Sequence, residues 1–248
     1  MSAQFDGLDA AIIARQLALP AVHLFESIGS TMDEAHRLAG EGAPGGTLVI
    51  AGEQTAGRGR GGKRWSSAPG LGLWFTLIER PNSPAGLDVL SLRLGLRAAP
   101  VLDAFADGSV MIKWPNDLYV GDLKLAGILV EARWRDARPD WVAIGVGVNV
   151  VPPAEMPYAT GLRSNSSRLD VLAALVPAVR LAAASRGPLT SSELSDFAER
   201  DYARGRRLRE PSTGVALGIT DDGALIIQGA QGVSHFRGGS LVFDKEQS

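Results

Sequence analysis

The chain has 248 residues, 45% of them apolar and 21% charged, and a formal net charge of −2; it can bury a full hydrophobic core and offers no overall cationic face to a polyphosphate backbone. It contains no cysteine, which excludes disulfide staples, thiolate metal sites and any route through a protein thioester, and fits a reducing compartment. The first nineteen residues carry Asp6 and Asp9 with no basic segment leading into an apolar run, and no apolar run nears the roughly 18 residues that span a bilayer. The expectation is a cytoplasmic protein with no membrane partner and no nucleic-acid partner.

Residues 8–17 have the apolar spacing of a helix, stopped before Pro20, and residues 22–25 form a short strand-like run. After a loop at 27–30, Ser30 or Thr31 can cap a helix over 32–39, with Asp33 and Glu34 in its first turn and Gly40 at its end. Residues 47–51 and 71–78 are β-branched, apolar runs, so the Gly/Arg segment between them joins two strands. Residues 87–106 are amphipathic and long, with Pro100 implying a kink or a break between two helices. Strand patterns at 110–114, 118–120, 124–134 and 141–151, separated by polar turns such as Gly121-Asp122, predict a mixed or largely antiparallel sheet. Helical stretches at 170–184, interrupted by Pro177, and at 191–204 lead to a change of composition near Gly205. Short strands at 215–220, 224–228, 233–237 and 240–243 then predict a small β-barrel or meander. The expected organisation is an α+β domain over 1–204 and a small β domain over 205–248.

The segment from Gln54 to Trp65 sets four cations, Arg58, Arg60, Lys63 and Arg64, among Gly57, Gly59, Gly61 and Gly62. Glycine lets backbone approach a ligand, so an anion is the expected occupant. Gly57, Gly59 and Gly62 satisfy G-x-G-x-x-G, but a dinucleotide loop must open a helix that holds the pyrophosphate, whereas residues 65–70 lead quickly into another strand. A nucleic-acid-binding RGG segment, a merely solvated hairpin, and a loop that wraps a nucleotide anion are the other readings. The density of glycine and cation in a net acidic chain favours the last.

A second constellation runs Lys113-Trp114-Pro115-Asn116-Asp117, then Asp122, Lys124, Gly127 and Glu131. Two lysines are presented by adjoining strands. Lys124 begins an apolar strand, where a desolvated ammonium needs an anionic partner or lowers its pKa. The plainer alternative is a pair of strand-end lysines that reach water along their stems, with Trp114 as ordinary core.

Residues 26–31, the Gly/Arg loop ending at Trp65, Lys113 to Asp117 with Lys124 to Glu131, and Gly145-Val-Gly147-Val-Asn149 resemble, in wording and order, the biotin protein ligase family of the biotin/lipoate ligase superfamily. The resemblance covers about residues 22–185 well and the tail loosely. It implies a class II synthetase-like catalytic domain, a mixed sheet flanked by helices, followed by a small SH3-like β-barrel. It also implies ATP-dependent conversion of biotin to biotinyl-5'-adenylate and transfer to a lysine of a biotin carboxyl carrier domain. Oligomeric state stays open between monomer and homodimer.

By position, the resemblance implies that Ser30, Thr31 and Gln54 hydrogen-bond the ureido ring, that Gly57, Arg58 and Gly59 close over it, and that Gly127 belongs to the same pocket. Arg60 would retain the acyl-adenylate. With Arg60, the residues Lys63, Trp65, Lys113, Asn116 and Asn149 would hold ATP, the indole by stacking. Lys124 would bridge the acid's carboxylate and the α-phosphate. Mg²⁺ on the phosphates is implied too, with Asp117 holding either the metal or the loop. The absence of cysteine sets aside the octanoyl transferases of the superfamily. A ligase for a lipoate-like acid and a catalytically silent binding protein are the remaining alternatives. The family pattern has arginine or lysine and then glycine after Arg60, where this chain has Gly61-Gly62, and Lys63 stands where arginine is common. The tail looks shortened. About twenty residues precede the first strand, too few for a helix-turn-helix repressor module.

Overall fold

Along residues 143–148 large side chains alternate with small ones, so one sheet acquires two unlike faces. The computed structural model describes residues 3–152 and 155–244. Strands β1 (Val22–Ile28), β2 (Thr47–Gln54), β3 (Gly72–Glu79), β4 (Val110–Lys113), β5 (Asp117–Val120), β6 (Leu123–Arg135) and β7 (Arg138–Asn149) form a seven-stranded sheet in the order β1-β2-β3-β7-β6-β5-β4. β1 and β2 run parallel and the other neighbours are antiparallel, the mixed sheet that the strand patterns predict.

Leu48, Ile50, Leu73, Phe75, Leu77, Ile128, Ile144, Val146 and Val148 share one continuous core with helices α3 (Leu90–Asp103) and α4 (Arg168–Ala184). Each such side chain contributes about 1.5–3 kcal/mol by leaving water. The opposite face carries Thr76, Gly127, Gly145 and Gly147, and is covered at one end by α2 (Thr31–Gly40), which packs Met32, Ala35 and Leu38 with Val49, Ile78, Trp141 and Ala143. A first helix, α1 (Ala10–Gln16), is capped by Asp9, whose carboxylate accepts from the Ile12 amide at 2.8 Å.

Pro100 and Pro177 break neither helix: α3 and α4 each run through their proline. Each ring removes one backbone bond, while Ala98, Ala99 and Leu102 around the first and Leu175, Val176 and Val179 around the second are buried, and that packing outweighs the loss. The expected helix over 191–204 is shorter, α5 (Ser191–Arg200), because the Asp201 carboxylate accepts from the Ala203 amide at 2.9 Å and turns the chain. After it, β8 (Arg207–Glu210), β9 (Gly214–Ile219), β10 (Leu225–Gly229), β11 (Gly232–Phe236) and β12 (Val242–Phe243) form an antiparallel sheet in the order β11-β10-β9-β8-β12. β8 escapes sequence reading because only Leu208 of its four residues is buried and three are charged. No helix among the described residues is long and apolar enough to cross a membrane.

Candidate active site

A cavity of about 620 Å³ lies on the small-residue face of the main sheet. The start of α2, the hairpin between β2 and β3, the adjoining ends of β4, β5 and β6, and residues 239–241 bound it. Its floor is bare because Gly127 and Gly147 are register partners on β6 and β7. A Cβ at either position would stand 2.7 Å from the Trp65 indole, which lies in the trough they leave. The Trp65 N–H is buried without a partner among the described residues.

The polar end of the cavity is a chain of mutually satisfied groups. Ser30 caps α2 through its hydroxyl, which accepts from the Met32 amide at 3.2 Å. The Thr31 amide and hydroxyl donate to Gln54 Oε1 at 2.8 and 2.9 Å, and the Thr76 hydroxyl donates to Thr31 Oγ1 at 2.9 Å. Gln54 Nε2 donates in turn to Ser67 Oγ at 2.8 Å. Groups buried and bonded in this way hold one orientation, which is what recognition of a neutral polar ring requires. Thr76 and Ser67 have no motif around them in the sequence. Register alone brings Thr76 to this face, opposite Gly145 on β7.

The Gly/Arg segment is a hairpin closed by Trp65 N donating to Gly57 O at 2.9 Å and Gly59 N donating to Lys63 O at 2.8 Å. Its tip is one 3₁₀ turn, Arg60–Gly62, in which Gly61 and Gly62 take φ of +62° and +74°. Two successive left-handed positions suit glycine. Gly57 serves the closure rather than the cavity lining, since a Cβ there would meet the Trp65 carbonyl oxygen at 2.4 Å. Arg60 reaches back across the cavity to donate to Asn116 Oδ1 at 3.0 Å, while Asn116 Nδ2 is held by Ile128 O at 2.7 Å. Lys63 and Arg58 also line the cavity, although the Arg58 guanidinium ends on carboxylates behind the hairpin. Asn149 is buried away from the cavity, and its amide donates to Lys124 O at 3.1 Å, so it holds the lysine's backbone.

The two lysines have different partners. Lys124 Nζ stands 2.8 Å from Asp117 Oδ1 and 5.0 Å from the centre of the Trp65 ring. That carboxylate is the anion which an ammonium at the head of an apolar strand needs. Lys113 donates to the Tyr119 hydroxyl at 3.3 Å and lies 4.8, 5.2 and 5.8 Å from the ring centres of Tyr119, Phe243 and Tyr202. Burial lowers the Lys113 pKa, with the Asp117 charge opposing it. Burial also raises the Tyr119 pKa, which keeps its phenol protonated. Trp114 is core as the plainer reading has it, with its indole N–H donating to Gly223 O at 3.0 Å.

Among the described residues, Asp117 is the one carboxylate lining the cavity. A lone carboxylate fits a Mg²⁺ ion that keeps most of its water and arrives on phosphates, and does not fit a cation caged by protein alone. The arrangement as a whole gathers Arg60, Lys63, Lys113 and Lys124 around a trough with one apolar wall and one hydrogen-bonding end. It can hold a polyanion beside an apolar acid and place an ammonium between them.

Comparison with known proteins agrees with this chemistry. Residues 24–149 match the model of the biotin/lipoate A/B protein ligase family, and residues 204–243 match that of the biotin protein ligase C-terminal domain. The bifunctional ligase/repressor BirA of Bacillus spizizenii is 34% identical over 230 residues, covering 83% of this chain and 69% of that protein. The biotin–[acetyl-CoA-carboxylase] ligase of Paracoccus denitrificans is 34% identical over 232 residues, covering 82% and 92%. Among solved structures, a biotin protein ligase from Aquifex aeolicus in complex with biotin and ATP superposes with a TM-score of 0.74 at 25% identity, over 90% of this chain and 98% of that one.

Proposed function

The chain belongs to the biotin/lipoate A/B protein ligase family, and on that premise we propose that it is a biotin–protein ligase acting on the carrier domain of a biotin-dependent carboxylase. The convergence of Lys124 with the cations of the hairpin and of β4 on one cavity carries this reading. A carboxylate oxygen of the acid attacks the α-phosphorus of ATP, the bond to the β-phosphate breaks, and pyrophosphate leaves. The deprotonated amine of an acceptor lysine then attacks the carbonyl carbon of the mixed anhydride, and AMP leaves. No protein nucleophile is needed, in keeping with the absence of cysteine.

In this scheme the hydroxyl–amide chain of Thr31, Gln54 and Thr76 meets the ureido head, and the apolar wall that the Trp65 indole makes over Gly127 and Gly147 takes the apolar body. Lys124 exchanges its bond with Asp117 for the acid's carboxylate and the α-phosphate, bringing two anions together and countering the charge that grows at phosphorus. Lys63 and Lys113 neutralise the triphosphate, and Arg60 spans the cavity over the adenylate. Asp117, released from Lys124, would meet a Mg²⁺ ion that supplies charge neutralisation at the phosphates. With biotin, ATP and Mg²⁺ the purified protein is expected to release pyrophosphate only when biotin is present, and to label a carboxylase carrier domain for streptavidin. Pyrophosphate release with lipoate but not biotin would overturn the choice of acid.

A further inference from the structure

The hairpin that closes the cavity has little behind it. On its far side a second cavity of about 740 Å³ separates residues 56–64 from residues 129–131 of β6. Arg58 crosses that gap. Its two terminal nitrogens donate at 2.6 Å each to Asp33 Oδ1, in the first turn of α2, and to Glu131 Oε1 on β6. An exposed ion pair is weak when both partners are free to move, but Glu131 is fixed from behind. Its second oxygen is 3.0 Å from His36 Nε2, and His36 Nδ1 lies 2.9 Å from the Trp141 indole nitrogen. The indole can only donate, so Nδ1 accepts and the imidazole hydrogen sits on Nε2, facing Glu131. Trp141 is buried in the core under α2. An unbroken line of bonds thus runs from that core through His36 and Glu131 to the hairpin.

We propose that Glu131, assisted by Asp33, is a positioning residue that pins the Gly/Arg hairpin over the cavity through Arg58, so that this arginine acts by holding the hairpin and not by touching the acid. The proposal rests on the reading of the cavity as the adenylation site. It follows from the geometry: both charged ends of the guanidinium are already taken, on the side of the hairpin away from the trough. It also explains why one helix does two jobs. The first turns of α2 supply Ser30 and Thr31 to the cavity and Asp33 and His36 to the pin, which ties closure of the hairpin to the pocket's polar end.

Glu131→Gln keeps an acceptor for His36 and removes the charge that faces Arg58. In the protein without substrates, tryptic cleavage after Arg60 and Lys63, followed by mass spectrometry, is expected to accelerate about fivefold at low salt, with the thermal midpoint unchanged. Arg58→Gln is expected to match it, the double variant to add nothing further, and 1 M NaCl to bring the wild type close to the variants. In turnover with biotin, ATP and Mg²⁺ but no acceptor, Glu131→Gln is expected to raise pyrophosphate release severalfold as activated acid escapes. Equal cleavage rates in the wild type and both single variants would overturn the pin, as would fully additive effects. If the wild type releases no biotin-dependent pyrophosphate while the cleavage differences persist, the reading of the cavity fails and the pin stands.

Discussion

The two faces of the main sheet are built from the same strands, yet they do opposite things. On one, Leu73, Phe75, Leu77, Ile144, Val146 and Val148 alternate into a core against α3 and α4. On the other, the intervening positions carry Trp74, Thr76, Gly145 and Gly147; Trp74 packs edge-on to Trp65, and the small residues leave room for that indole and for the cavity under α2 and the hairpin. The lesson is that this site is made by omission. Removing side chains from one face costs that face its packing, and the bulk on the other face offsets the loss. The backbone under the cavity is therefore held by the packed face, which favours binding without further ordering of those strands.

Substitutions on the two faces should therefore fail in different ways. The largest loss of activity is expected from Lys124→Ala on the open face, which removes the ammonium bonded to Asp117. Single-turnover formation of the adenylate should slow about 10²–10³-fold with the thermal midpoint nearly unchanged, and a rate within a few-fold of wild type would break the comparison. Leu77→Ala, fully buried on the packed face, should behave conversely. Denaturant unfolding should show a loss of about 2–5 kcal/mol, while the residual folded enzyme keeps its KM for biotin. Gly147→Ala places a methyl 2.7 Å from the Trp65 ring, and is expected to raise that KM about tenfold, roughly 1.4 kcal/mol, with little change in stability.

The smallest effect sharpens a related contrast, between a half-buried charge that has a partner and a buried one that lacks it. Lys124 has Asp117, whereas Asp201 has one oxygen with no partner among the described residues, and burial holds its pKa up at about 6. The folded state therefore binds the Asp201 proton more tightly than the unfolded chain. The stability linked to it is fully present below the unfolded value near 4 and is lost as pH rises through about 6. Asp201→Asn keeps the acceptor for the Ala203 amide and should stabilise the protein at pH 8 by about 1–2 kcal/mol, an advantage that shrinks toward pH 4 in chemical denaturation.

Local chemistry made much of this legible in advance. The Ser30 cap, the glycine-rich turn at the hairpin tip, the strand runs and the order of the four motif segments are short-range features, each decided within a few residues, and the chain alone determines them. The helices run on through the two prolines, where a break was one expectation, because a local rule about one missing backbone bond says nothing of the burial that overrides it. Other features had no local trace. Plain alternation would group Lys124 with Ala126 and Ile128 on the packed face, but β6 carries a bulge opposite Leu118 and Tyr119 that shifts the alternation and sends Lys124 to the cavity. Asp117 becomes its partner through strand pairing, and Arg58 finds Asp33 and Glu131 at separations of 25 and 73 residues. What the sequence determined by itself is which residue types were available and which short elements they form. Which of them face one another was decided only by register, bulge and layer packing, because those depend on contacts between strands that no single segment contains.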